Sequence, residues 1–248
     1  MATSDGPYYR ADLALVHHLG YGRHAEVCAP GILALLEPIR ARDGLVVELG
    51  CGSGLLTRFL VDAGHRVIAT DASPAMVDLA RAHVPGAETV ELLTLPDDPI
   101  PTADAIVSVG HVVSYLGDEP AIDRAFVAMA DALRPDGVLA VDVCDLEWGA
   151  ARRDARPLAR IADDWAIITE FDVPAPNRFV RQLAIFNRND DGTWRRDDER
   201  HENVLIDTAP ISSLLAAHHV DATVGSAFGN ELLPTGLRVV VGRRRERS

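Results

Sequence analysis

The chain contains no lysine, and all 24 of its basic residues are arginines. This absence excludes chemistry that needs a lysine, such as a Schiff base with a carbonyl substrate. The 37 acidic residues give a net charge of −13. Because a nucleic-acid partner usually requires a basic face for its phosphates, we expect no nucleic-acid partner. The acidic balance favours a small neutral or cationic substrate.

Long apolar runs are also missing, and cysteines are few. No stretch reaches the roughly 18 apolar residues that a membrane span requires, and residues 1–7 lack the basic and then apolar pattern of a secretory signal. Cys28, Cys51 and Cys144 are too few and too scattered for a disulfide framework. We therefore expect a cytoplasmic protein with buried thiols and no membrane partner.

The most informative feature that is present is an apolar stretch, Val46–Leu49, which leads directly into three alternating glycines, Gly50, Gly52 and Gly54. A second apolar stretch, 66–70, ends at Asp71. The order strand, glycine turn, helix, strand, acid is typical of a nucleotide-binding α/β unit. Glycines allow a sharp turn and the close approach of a ligand, and an acid at the second strand's tip can bind ribose hydroxyls.

The glycine spacing indicates which nucleotide would bind. A dinucleotide fingerprint would place its third glycine at position 55, where this chain has leucine, and a phosphate-binding loop would need a lysine. Together with Glu48, two residues before the first glycine, the G-x-G-x-G pattern resembles motif I of the class I S-adenosylmethionine (SAM) methyltransferases. The alternative is a glycine turn without functional meaning in an ordinary βαβ unit.

The rest of the chain predicts an α/β fold with an insertion. Helices alternate with strands near residues 45–49, 66–70, 88–93, 104–109 and 138–143, which predicts a parallel sheet covered on both faces. Later segments read as a three-stranded antiparallel meander (165–171, 179–186 and 194–206), a helix (209–218) and two final strands (220–227 and 237–241). This order resembles the Rossmann-like, seven-stranded methyltransferase sheet with its last strand antiparallel. An antiparallel β-insertion after the fifth strand is similar to that of small-molecule N- and O-methyltransferases.

The resemblance implies a division of the chain into three parts. We expect an N-terminal helical cap at residues 1–41 and a SAM-binding core at 42–145 and 209–248. The insertion, 146–208, would serve as a substrate lid. Arg134–Gly137 stands where the family has L-[RK]-P-G-G, with Asp136 in place of a glycine. The turn should survive, because aspartate tolerates left-handed conformations.

The resemblance also assigns the residues that would contact the cofactor. They are Glu48, Gly50, Cys51, Gly52, Asp71, Ala72, Met76, Leu93, Thr94 and Val109. Asp71 would bind the ribose hydroxyls, although it could instead cap the helix that begins at Ser73-Pro74. Met76 would lie near the adenine or simply fill the core. Many family members have an acid near Leu93 and Thr94, so here Thr94 or the backbone must meet the adenine.

Two residues are candidates for catalysis, His111 and Tyr9. His111 follows the fourth strand, and a histidine there can take a proton from an amine or hydroxyl at neutral pH. Otherwise it is a neutral residue that shapes the cofactor pocket. Tyr9 could face the sulfonium, whose positive charge an aromatic ring stabilises, or it could anchor the N-terminal segment.

The candidates for substrate binding are Tyr115, Arg181, Glu199 and His201. Residues two apart in a strand share a face, so residues 195, 197, 199 and 201 form one polar row, and Arg181 could pair across with Glu199. The row would recognise the substrate if it faced the pocket and would be an ordinary solvated face if it pointed outward. We expect no metal, because Glu199 and His201 lack a second ligand pair at metal spacing.

The sequence therefore predicts a SAM-dependent methyltransferase that transfers a methyl group to nitrogen or oxygen of a small molecule, in secondary metabolism. Two alternatives remain open: a nicotinamide-dependent oxidoreductase on the same fold, and a SAM-binding domain without catalytic activity. The exposed meander is a plausible surface for a homodimer.

Overall fold

The computed structural model describes residues 8–246, so the first seven residues of the expected cap and the last two of the expected core lie outside it. A seven-stranded sheet has the order β10-β11-β5-β4-β1-β2-β3, and a four-stranded sheet has the order β6-β7-β8-β9. The strands are β1 (Leu45–Leu49), β2 (Arg66–Asp71), β3 (Thr89–Leu92), β4 (Ala103–Ser108), β5 (Leu133–Cys144), β6 (Leu158–Ile161), β7 (Trp165–Ala175), β8 (Arg178–Arg188), β9 (Trp194–Val204), β10 (Val220–Gly225) and β11 (Leu237–Arg244). The helices are α1 (Ala11–Gly20), α2 (Arg23–Arg40), α3 (Leu55–Asp62), α4 (Pro74–His83), α5 (Glu119–Ala132), α6 (Leu146–Ala150) and α7 (Ile211–Ala217).

Strand direction in the large sheet confirms the predicted fold class. Neighbouring strands from β1 to β5 run parallel, whereas β11 runs antiparallel to both β10 and β5. Helices α5 and α7 pack on one face of this sheet, and α2 and α3 pack on the other. Because β1 and β4 are buried on both faces, their sequences are mostly apolar and do not alternate regularly with polar residues.

The small sheet lies against the N-terminal helix. Leu13 and Val16 of α1 pack on Trp165, Leu183 and Ile185 of β7 and β8. Helix α1 also contacts α4, which begins directly after the β2 tip. The insertion is thus placed over the edge of the large sheet where the carboxyl ends of its parallel strands meet.

Three local features differ from the sequence prediction. Strand β6, Leu158–Ile161, adds a fourth strand to the meander, and a five-residue helix, α6, follows β5. All four residues of β6 are exposed, so no alternation of polar and apolar residues marks it. Strand β5 begins at Leu133, and its pairing with β4 is irregular before Val138. Asp136 adopts a left-handed φ of 59°, as predicted.

No helix in residues 8–246 combines the length and the apolar character that crossing a membrane requires.

Candidate active site

A cavity of about 360 Å³ opens where β1, β2 and β4 end. This is the edge at which open α/β sheets bind their ligands. The cavity is lined by Tyr8, Tyr9, His17, Leu49, Gly50, Gly52, Asp71, Ala72, Ser73, Met76, Leu93, Thr94, Leu95, Val109, Gly110, Val112, Tyr115 and Leu116. Eight of the ten predicted cofactor residues are among them.

The glycine turn between β1 and α3 brings bare backbone to the cavity wall. Gly50 and Gly52 have φ values of +72° and +55°, which strongly favour glycine. A Cβ on Gly50 would collide with the side chain of Val112. A Cβ on Gly52 would meet only the Met76 sulfur, at 3.9 Å, so the space beside Gly52 is open to a ligand.

Asp71 joins this turn to the start of α4. Its Oδ2 accepts a hydrogen bond from the Gly52 N–H at 2.8 Å, and its Oδ1 accepts one from the Ser73 N–H at 2.8 Å. Burial raises the pKa of Asp71, while these backbone hydrogen bonds oppose the rise. The cap of α4 is Ser73, whose Oγ accepts from the Met76 N–H at 3.2 Å. Asp71 therefore fixes the turn and stays at the cavity wall.

Glu48 and Cys51, the other two predicted cofactor residues, are buried but do not line the cavity. Burial raises the pKa of Glu48 to about 8, and the nearby Asp71 adds to the rise. The Oε2 atom of Glu48 has no hydrogen-bond partner among residues 8–246.

The loop after β4 is held by Asp142, a residue that sequence reasoning missed. The Gly110 and His111 N–H groups donate to its carboxylate at 2.9 and 2.5 Å, and His24 Nε2 lies 2.9 Å from its Oδ2. Both loop residues have positive φ, 104° and 50°, and for histidine this conformation is strained. An acid inside the apolar run 138–144 was the available signal, because a buried carboxylate requires partners.

His111 stacks on Tyr115, with ring centroids 5.7 Å apart, but does not line the cavity. Its Nδ1 has no hydrogen-bond partner in the part of the chain that the structure describes. Burial, together with the positive charge of Arg181, lowers the pKa of His111 to about 3. His111 is therefore neutral at neutral pH, and no hydrogen bond of its Nδ1 connects it to the cavity within residues 8–246.

Tyr9 and Tyr115, which both line the cavity, belong to one hydrogen-bonded cluster. Their hydroxyl oxygens are 3.0 Å apart, and Tyr115 Oη lies 3.3 Å from His201 Nδ1. Arg181 Nη2 donates to Tyr115 Oη. The predicted substrate residues are thus brought together, although only Tyr115 lines the cavity itself.

The expected pairing of Arg181 with Glu199 is wrong. The strand register places Arg181 opposite His201 and Leu183 opposite Glu199. The connection between β8 and β9 sets this register. Glu199 instead accepts hydrogen bonds from His201 Nε2 and from the Tyr9 and Arg10 N–H groups, each at 2.8 Å.

The polar row on β9 turns out to be buried at one end and exposed at the other. Glu199 and His201 are 4% and 1% exposed. Asp197 pairs with Arg10 at 2.7 Å, and Arg195 pairs with Asp12 near the surface. The inner half of the row therefore supports the cavity, and its outer half is an ordinary solvated face.

His17 is a cavity residue that sequence reasoning did not select. It comes from α1 and stacks on Tyr21, with ring centroids 5.4 Å apart. Burial lowers its pKa to about 4. Its position depends on how α1 docks on the sheet, and no local sequence pattern carries that information.

Comparisons with known proteins agree with this geometry. Residues 46–137 match the family model described as a methyltransferase domain. An uncharacterized methyltransferase of Mycobacterium tuberculosis is 38% identical over 120 residues, which are 48% of this chain and 46% of that protein. The chain spans about half the length of the curated relatives it matches.

Two solved structures share the fold over almost the whole chain. A SAM-dependent methyltransferase from Clostridium acetobutylicum has a TM-score of 0.77 at 16% identity, covering 94% of this chain and 98% of that one. The sugar N-methyltransferase KedS8 from Streptoalloteichus has a TM-score of 0.77 at 19% identity, covering 99% of both chains. Residues 46–137 therefore resemble a methyltransferase domain, and the chain has the fold of the SAM-dependent methyltransferases, as predicted.

Proposed function

We propose that this chain is a SAM-dependent methyltransferase acting on a small molecule. The observation that carries the proposal is the glycine turn, hydrogen-bonded to Asp71 at the edge of a cavity of about 360 Å³. The volume lies within the range of about 300–1,000 Å³ that is usual for small-molecule sites.

The residues at the cavity fit such a cofactor. Gly52 and Gly110 both line it, and a Cβ on either would enter open space. Backbone at Gly50 and Gly52 would then meet the methionine part, and Asp71 would accept hydrogen bonds from the ribose hydroxyls. Met76, Leu93 and Thr94 would enclose the adenine. SAM, when bound, supplies an electrophilic methyl carbon on a positively charged sulfur.

The acceptor that we propose is a nitrogen or oxygen of a small molecule, in secondary metabolism. The resemblance to the sugar N-methyltransferase KedS8, whose fold extends over the β-insertion, supports this proposal. We further propose that residues 8–41 act as a cap, that 146–208 act as a substrate lid, and that 42–145 and 209–246 form the core. The hydrogen bond from the Tyr9 N–H to Glu199 of β9, beside the cavity, supports this division.

Calorimetry with SAM and, separately, with NAD tests the cofactor. We expect the protein to bind SAM and not NAD. The opposite result, binding of NAD and not SAM, would favour the nicotinamide-dependent oxidoreductase. Incubation with SAM and a panel of amines and alcohols, read by mass spectrometry, tests turnover. An acceptor heavier by one methylene unit would support the enzyme, and SAM binding without any modified acceptor across the panel would favour a non-catalytic SAM-binding domain.

A homodimer and a cytoplasmic location remain further proposals. Leu158 and Ile161 on the edge strand β6 are 53% and 80% exposed, which supports pairing with a second copy through this edge. Light scattering would test the dimer by measuring the molar mass of wild type, expected to be that of a dimer, and of Ile161→Asp, expected to be that of a monomer. All three cysteines are free and buried, which agrees with a reducing compartment.

A further inference from the structure

Beside the cavity, a chain of hydrogen bonds connects Tyr9 to the buried carboxylate of Glu199. Both oxygens of that carboxylate accept from backbone N–H groups, those of Tyr9 and Arg10 at 2.8 Å. An ionised carboxylate has no hydrogen to donate and can only accept hydrogen bonds. His201 Nε2, 2.8 Å from Oε2, must therefore carry a hydrogen and donate it.

The hydrogen on His201 Nε2 decides what Nδ1 does. Burial lowers the pKa of His201 to about 4, although Glu199 opposes that shift, so the ring is neutral at neutral pH. A neutral imidazole has one N–H and one accepting nitrogen. With the hydrogen on Nε2, Nδ1 accepts, and the group within reach is the Tyr115 hydroxyl at 3.3 Å.

Arg181 determines the direction of the remaining hydrogen bonds of the Tyr115 hydroxyl. A guanidinium can only donate, so the Tyr115 oxygen accepts from Arg181 Nη2. The single Tyr115 hydrogen points to His201, so the Tyr9 hydroxyl, 3.0 Å away, must donate to Tyr115. The Tyr9 oxygen is left with accepting capacity at the cavity that Tyr9 lines.

We propose that Tyr9, Tyr115 and His201 form a proton path that takes the proton from the acceptor's N–H or O–H group. This inference rests on the proposed methyltransferase function and names His201, rather than His111, as the proton's destination. Tyr9 would touch the acceptor and is the catalytic residue, whereas Glu199 and Arg181 are positioning residues.

Each bond that breaks along the path is matched by one that forms. The acceptor's hydrogen bonds to the Tyr9 oxygen while its electron pair stays on the acceptor atom. The Tyr9 hydrogen passes to Tyr115, and the Tyr115 hydrogen passes to His201 Nδ1. Both tyrosines end neutral, and the His201 imidazolium lies beside the Glu199 carboxylate. After product release the proton returns along the same path to water in the cavity.

Charged groups of both signs face His201. Glu199 stabilises its protonated form, whereas Arg181 and Arg10 destabilise that form. The tyrosines Tyr8, Tyr9 and Tyr115 contact the ring or its nitrogens, and His17 is the nearby imidazole whose pKa His201 lowers. Loss of any one of these groups will change the ring's titration, so the decisive readout is which nitrogen carries the hydrogen.

The 15N NMR spectrum of the protein without added ligand reads this directly, with His201→Gln to assign the signals. We expect the hydrogen on Nε2 and the shift of a hydrogen-bonded acceptor at Nδ1. In Tyr115→Phe, the 15N chemical shift of His201 Nδ1 should move toward that of a nitrogen without a hydrogen bond. The control is Tyr21→Phe, which removes a hydroxyl outside the path and should leave this chemical shift unchanged. A hydrogen on Nδ1, or a Tyr115→Phe spectrum identical to wild type, would overturn the proposal.

Turnover gives a second readout once the acceptor panel has yielded a substrate. Tyr115→Phe should lower kcat about 100-fold, at the low end of the range for positioned acid–base groups, while SAM affinity stays within twofold of wild type. A protein that binds no SAM would contradict the proposed function. A variant that binds SAM and retains wild-type kcat would contradict only the proton path.

Discussion

His24 of α2 and Asp142 of β5 form an ion pair beneath the cavity, with 2.9 Å between Nε2 and Oδ2. The Asp142 carboxylate is fully buried, and it also accepts from the backbone of the loop after β4. The pair therefore connects α2 with a loop whose strained conformation shapes the cavity.

His24→Gln should destabilise the fold in a pH-dependent way. Burial lowers the pKa of His24, but the hydrogen bonds to Asp142 and Cys28 and the charge of Asp142 together outweigh it and raise the pKa to about 10. Since the folded pKa lies above the unfolded one, the stabilisation is fully present below about pH 6.5 and is lost as pH rises through about 10. Urea unfolding should show a loss of about 1.5–3 kcal/mol at pH 6.5 and a smaller one at pH 10.5.

The control is His219→Asn, at an exposed left-handed position whose side chain makes no hydrogen bond within residues 8–246. The free energy of unfolding of His219→Asn should differ little from that of wild type at either pH. Equal losses for His24→Gln at both pH values would show that charge on His24 does not contribute.

Gly52→Ala and Gly64→Ala form a matched pair that separates backbone strain from blocked binding. Both glycines have left-handed φ, +55° and +85°, and neither substitution meets a close atom. Each should lower the free energy of unfolding by about 1–2 kcal/mol. Gly52 lines the cavity and Gly64, which follows α3, does not. Calorimetry should therefore show SAM affinity reduced at least 10-fold in Gly52→Ala alone, and similar affinities for the two variants would place the cofactor elsewhere.

Asp71→Ala should weaken SAM binding by about 1.5–3 kcal/mol, the usual contribution of a hydrogen bond to a charged group. That corresponds to a rise in Kd of roughly 10- to 150-fold. Asp78→Ala removes an exposed acid from the same region, on α4, and should leave Kd unchanged. An unchanged Kd in Asp71→Ala would remove Asp71 from the site.

The large sheet could be predicted because local chemistry specifies it. The glycines at 50, 52 and 54 need left-handed φ, and Ser73-Pro74 carries its own helix cap, so both turns are encoded within a few residues. Strands that are buried on both faces can be recognised from their mostly apolar sequences. These features place Gly50, Gly52 and Asp71 at the cavity without knowledge of long-range contacts.

The inner part of the site could not be predicted in the same way. The pairing of Arg181 with Tyr115 joins residues 66 apart, and that of Glu199 with the Tyr9 N–H joins residues 190 apart. Strand register across β8 and β9 decides which residues face each other, and alternation alone cannot fix it because a row of residues two apart keeps its face under a two-residue slip. The role of Asp142 likewise depends on α2 docking beneath β5.

Glu199→Ala should release the N-terminal segment from the meander. Its carboxylate holds the Tyr9 and Arg10 N–H groups, so both amides should exchange with deuterium at least 10-fold faster in the variant, consistent with the loss of about 1.5 kcal/mol per charged hydrogen bond. Asp198→Ala, its exposed neighbour on β9, should leave these rates unchanged. Unchanged exchange in Glu199→Ala would mean that other contacts hold the segment.

Three buried imidazoles, His17 at the cavity and His111 and His201 behind its wall, should make the protein sensitive to mild acid. Burial lowers the pKa of His17 and His201 to about 4 and that of His111 to about 3. Below pH 6.5 these histidines bind protons in the unfolded chain but not in the folded chain. The free energy of unfolding therefore decreases as the pH is lowered, by up to about 1.4 kcal/mol per pH unit for each ring. In urea unfolding between pH 6.5 and 4.5, His201→Gln should show a shallower slope than wild type and His219→Asn should not. A slope unchanged by His201→Gln would mean that His201 takes up its proton equally in the folded and unfolded chains, so that burial does not lower its pKa.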